Sequence, residues 1–112
     1  MILSPSIFAI LALSAAQPST QPDAATLAQA VDRCMTTYAV RLTRTEASDD
    51  AIFAEASQGC RTVSEQLNAA IAREYSPEQA RQLTDTIAAS ARPNFMQMLQ
   101  QIRADRQRRQ GN

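Results

Sequence analysis

The sequence contains no histidine, no lysine and no tryptophan, and only two glycines and two cysteines among 112 residues. The missing histidine removes the commonest general base and the commonest zinc ligand together. With Gly59 and Gly111 as the sole glycines, there is no glycine-rich loop to cradle a phosphate. Aromatic residues make up 4%, and much of the 45% hydrophobic fraction is alanine, so the core of the single domain is expected to be thin. A small domain of this kind needs a covalent staple or a partner. Arginine supplies all 11 positive charges against 11 carboxylates, and a net charge of zero argues against steering toward nucleic acid.

What is present begins with "MILSPSIFAILALSAAQP". Its apolar run from Ile7 to Leu13 precedes small residues that suit cleavage after Ala16, with Ser14 and Ala16 at the recognition positions. Residues 1–16 are therefore expected to be a signal peptide, although Met1 to Ser6 carry no basic side chain. The alternative is an N-terminal anchor, but the run is well short of the roughly 20 residues that a span needs. Residues 17–22 are a Pro/Ser/Thr/Gln linker, and residues 23–112 make up the helical domain, with Asp23 as a cap. The expected destination is the periplasm or the cell exterior, with no stable membrane anchor after cleavage.

Leu27, Val31, Cys34, Tyr38 and Leu42 recur at helical steps and define an amphipathic helix over about 23–45. Ser48, or alternatively Thr45, caps a second helix over about 49–74, with Asp49 and Asp50 in its first turn and Ile52, Ala56, Cys60, Val63, Leu67 and Ile71 on its stripe. Ala47 lies midway along the chain between Cys34 and Cys60. At a fixed rise of about 1.5 Å per residue, the two cysteines sit level across an antiparallel helical hairpin. Export favours a disulfide between them, with two buried free thiols as the alternative. Gly59 then clears space where the helices approach; a tolerated surface glycine is the competing reading.

"YSPEQ" opens a third helix over about 77–108, with Ser76 as cap, Pro77 at the first position and Gln79 closing a capping box. Its stripe of Ala80, Leu83, Ile87, Ala91, Phe95, Met98 or Leu99, and Ile102 keeps phase through Pro93, which predicts one helix kinked there. The fold class is all-α: a disulfide-stapled antiparallel hairpin plus a Pro-kinked amphipathic helix, like a three-helix bundle. Arg61 with Glu65, Arg81 with Asp85 and Asp105 with Arg109 are spaced as supporting ion pairs.

The apolar residues Phe95, Met96, Met98, Leu99 and Ile102 exceed what a thin hairpin can cover, and are the candidate surface for a protein partner or self-association. Arg103, Arg106, Arg108 and Arg109 crowd the C-terminal turns; they either complement the helix dipole or contact an anionic surface. Met96 and Met98 could attract a soft ion such as Cu(I), though on a helix they point to opposed faces. The eleven acids are spread along polar faces, and the cysteines are far apart in helix interiors, so neither a catalytic site nor a thiol redox site is expected. No cofactor is called for.

"YSPEQARQLTDTI" resembles the Spy and CpxP group of periplasmic chaperones, small helical proteins marked by an L-T-x-x-Q motif. Tyr75 and Ser76 stand where that motif has Leu and Thr, Gln79 is kept, and Leu83 and Thr84 are followed by Ile87 in place of Gln. The resemblance covers about a third of the chain. It implies a helical chaperone of the cell envelope and assigns no functional residue. The leading expectation is a small exported protein that binds another macromolecule; chaperone activity comes second and soft-metal binding third.

Overall fold

The computed structural model describes residues 21–111; the expected signal peptide and residues 17–20 of the linker lie outside the described residues. Four helices and no strand are formed there: α1 (Ala24–Leu42), α2 (Asp49–Gly59), α3 (Arg61–Glu74) and α4 (Pro77–Gly111). Local side chains start them. Asp23 Oδ1 accepts from the Thr26 amide at 2.8 Å, and Ser48 Oγ accepts from the Ala51 amide at 3.2 Å. Ser76 and Gln79 exchange two bonds, at 3.3 and 3.4 Å, closing the box ahead of α4. Hydrogen bonding from Thr26, first its side chain and then its amide, holds the Asp23 carboxyl below its ordinary value of 3.8.

A depressed acid stabilises the fold only while it is ionised in the folded state. The Asp23 contribution is therefore fully present above pH 3.8 and is lost as the pH falls through the lower folded value. Asp23→Ala should accordingly lower the melting temperature at pH 7 and leave it closer to wild type in strong acid. An equal decrement at both pH values would contradict a charged cap.

The second helix differs from the sequence expectation of one element over 49–74. It is two helices that meet at Cys60, where the backbone departs from helical values. The Cys60 φ is −103 and its ψ is 13, in degrees. The bend is confined to one residue, because the Cys60 amide still donates to Ala56 O at 2.9 Å and its carbonyl still accepts from Ser64 N at 3.1 Å. Glycine is the weakest helix former in this segment, and here it precedes a residue tied to another helix. Cys34 and Cys60 form a disulfide, with Cα atoms 6.0 Å apart.

The described core is split in two. Ala24 and Leu27 of α1 pack with Leu67, Ala70 and Ile71 of α3. Further along, Ala39 of α1 packs with Ile52 and Ala56 of α2 and with Phe95 and Leu99 of α4. Ile52, Ile71 and Leu99 are fully buried. Such burial contributes about 1.5–3 kcal/mol for each side chain. The disulfide lies on α1 between these clusters. α4 runs helical through Pro93, although the ring removes the amide that would bond Ala89 O. A helix as long as α4 spans about 50 Å, taking about 1.5 Å per residue. That length lets it reach both clusters.

Gly59 has a definite neighbour. A Cβ built on it would lie 2.1 Å from Tyr38 Oη and 2.3 Å from Tyr38 Cζ, so the phenol ring occupies the space that a side chain would need. Tyr38 follows Cys34 by one helical turn and carries the Arg41 guanidinium 4.7 Å from its ring centroid. Alanine gains up to about 1 kcal/mol of helix propensity over glycine. Displacing a packed side chain costs about 1–3 kcal/mol, so Gly59→Ala should be net destabilising. Chemical denaturation of Gly59→Ala alone and with Tyr38→Ala checks this: the penalty should vanish in the double variant.

Candidate binding groove

Between the two clusters α4 does not rest on packed side chains. Its inner face over Ile87, Ser90, Ala91 and Asn94 instead lines a groove of about 360 Å³. The opposite wall comes from Val31, Asp32 and Met35 of α1, Phe53 and Ser57 of α2, and Ser64 of α3. The gap has a sequence cause: Ser90 and Ala91 share the groove with Ser57 and Ser64, so short side chains meet short side chains and no described side chain fills the space. Ile87, on the α4 stripe, is left 37% exposed. The volume lies within the range of sites for small ligands or inserted side chains.

The part of α4 beyond the groove is clasped to α1 and α2. Phe95 meets Phe53 edge-on with ring centroids 5.3 Å apart. Arg92 donates to Asp50 at 2.7 Å and sits 4.8 Å over the Phe53 ring. Arg103 bonds Asp49, and Arg106 donates to Thr43 Oγ1 at 3.0 Å and to Val40 O at 3.3 Å, closing the C-terminal end of α1. The Arg92 and Arg103 pairs are partly or largely exposed. Pairs of that kind are worth at most about 1 kcal/mol each. The buried aromatic and leucine therefore dominate the attachment, and the arginines fix its register.

The residues expected to form an apolar partner surface divide accordingly. Phe95 and Leu99 are buried, 2% and 0% exposed, against this chain's own α1 and α2. They are core residues in this fold and offer no free surface, because α1 and α2 cover more of α4 than the sequence pattern suggested. Met96, Met98 and Ile102 pack half-buried around them, and the Met98 thioether accepts a bond from the Thr36 hydroxyl at 3.4 Å. Of the four C-terminal arginines, Arg103 and Arg106 bind the body and Arg108 pairs with Asp105. Arg109 stays exposed. The spaced pairs Arg61–Glu65, Arg81–Asp85 and Asp105–Arg109 do not form among the described residues, and Asp105 takes the arginine three residues on.

Among the described residues no three His, Cys, Asp or Glu side chains gather as a metal site, and no helix is long and apolar enough to cross a membrane. The groove itself was missed at the sequence level. Its signal was the run of short side chains Ala88 to Ala91, which interrupts the large apolar positions between Ile87 and Phe95. Comparison with protein-family models, with curated proteins and with solved structures gives no match.

Proposed function

We propose that this is a small exported helical protein that acts by binding another macromolecule. In this reading α1 and the α2–α3 pair form a disulfide-stapled antiparallel hairpin, and α4 is a bent third arm whose middle turns receive the partner. Contacts at both ends and the centre of α1 support the hairpin: the Ala24 amide donates to Glu74 Oε2 at 2.8 Å, Cys34 joins Cys60, and Ala39 meets Ile52 and Ala56. A crosslink of this kind suits an oxidising compartment. The observation that carries the function is the unfilled apolar groove beneath Ile87 and Ala91, because an unfilled gap in a thin core sacrifices packing that larger side chains would supply.

Filling it provides the test. Ala91→Leu places a branched side chain on the groove wall, and should hold or raise the melting temperature while abolishing binding of a hydrophobic dye. Dye binding unchanged in Ala91→Leu, or absent in the wild type along with a strictly monomeric mass by light scattering, would overturn the reading. Chaperone activity is the second reading, favoured by the polarisable Met35 and Met98 on the groove walls. It requires suppression of client aggregation at stoichiometric amounts, again lost in Ala91→Leu.

A further inference from the structure

The walls of the groove are chemically lopsided. Asp32 is the one charged side chain that lines it, and none of the 11 arginines does. Asp32 is exposed, and its carboxylate makes no hydrogen bond or ion pair among the described residues. Phe53, one of the two aromatic wall residues, already holds the Arg92 guanidinium over its ring, and that arginine's charge is offset by Asp50. Val31, Met35 and Met98 share the lining with Asp32, apolar or polarisable surfaces that suit alkyl groups. The remaining polar groups, Ser57, Ser64, Ser90 and Asn94, are neutral.

We infer that the groove receives a protein segment that presents apolar side chains next to a single basic one, with Asp32 pairing that charge at the rim. The inference rests on the macromolecule-binding reading above and adds the chemistry of the partner. The apolar side chains enter between Met35, Phe53 and Ile87, and supply most of the affinity by leaving water. The Asp32 carboxylate selects the sign of the neighbouring charge, since an acidic residue there would meet an uncompensated like charge. No cationic side chain lines the walls to compensate an acidic segment.

The experiment uses the full mature protein and three short fluorescein-labelled peptides that share a Leu-Phe-Leu core and differ in one flanking residue, Lys, Gln or Glu. Fluorescence anisotropy should rank them Lys, Gln, Glu, with about two- to five-fold between Lys and Gln, as an exposed pair allows. Raising the salt should shrink that gap. Asp32→Asn should erase the preference between the Lys and Gln peptides, and Asp32→Arg should favour Glu; circular dichroism checks that both variants fold. Equal binding of all three peptides to the wild type overturns the role of Asp32 and leaves the macromolecule-binding reading standing. Failure of every peptide to bind, with dye binding retained, overturns a protein segment as occupant. Loss of both peptide and dye binding removes that reading as well.

Discussion

Phe95→Ala is expected to cost about 3–5 kcal/mol, the range for emptying a buried aromatic site. A domain of this size holds about 5–15 kcal/mol in all, so a single truncation removes a large share of it. Phe95 is 2% exposed and supplies the edge-on partner of Phe53, and together with Leu99 it is the apolar content by which α4 grips α1 and α2. The arginines that accompany it cannot substitute, since the Arg92–Asp50 and Arg103–Asp49 pairs are open to solvent. That exposure keeps each within about 1 kcal/mol. Urea denaturation gives the loss. Amide exchange should show the C-terminal half of α4 losing protection before α1 and α3 do. Met96→Ala, one residue away but half-buried, should cost distinctly less. A Phe95→Ala loss of about 1 kcal/mol or less, the size of an exposed ion pair, would mean that α4 is held by something other than this cluster.

Replacing both cysteines by alanine should cost about 3–4 kcal/mol, the entropy that closing a loop of this length withdraws from the unfolded chain. The sequence separation of Cys34 and Cys60 that sets this figure is 26. Alanine is the appropriate substitution because Cys60 is 1% exposed, where a serine hydroxyl would add a desolvation cost of its own. Reductant added to the wild type should bring its denaturation midpoint to that of the double variant and leave the double variant unmoved. The bend at Cys60 offers a second readout: without the tie to Cys34, amides around Gly59 to Val63 are expected to shift in the NMR spectrum, and the α1 positions near Tyr38 with them. An alanine variant as stable as the wild type would show the bridge to be incidental.

The all-helical class and the crosslink were both legible in the sequence, for reasons visible in single residues. Helix starts are local chemistry, so Asp23, Ser48, and Ser76 with Gln79 could be read without knowing what the helices touch. The cysteine pair could be read by counting outward from Ala47, because rise per residue is fixed. Three features were not legible. The division of the second helix at Cys60 arises from a link to a distant part of the chain, and periodicity cannot register a bend that leaves the flanking stripes in phase. The burial of Phe95 and Leu99 depends on how far α4 lies over α2, which Asp49 with Arg103 and Asp50 with Arg92 help to set. Those aspartates read equally well as first-turn acids complementing a helix dipole, and local spacing favoured arginine partners that the tertiary fold does not use. The groove is an absence of volume, and a run of alanine and serine looks in sequence like helix surface.

Gly59 sits between the two kinds of feature. Its presence beside Cys60 signalled a close approach, and the approaching group is the ring of Tyr38. The space between the clusters has a separate cause, the short side chains of Ser57, Ser64, Ser90 and Ala91 that line it.

Intact mass spectrometry of the folded protein, purified without reductant and treated with iodoacetamide before unfolding, tests the crosslinked fold most directly. The expected species lacks two hydrogens relative to the dithiol and carries no alkyl group. A folded protein that takes up two alkyl groups would contradict it.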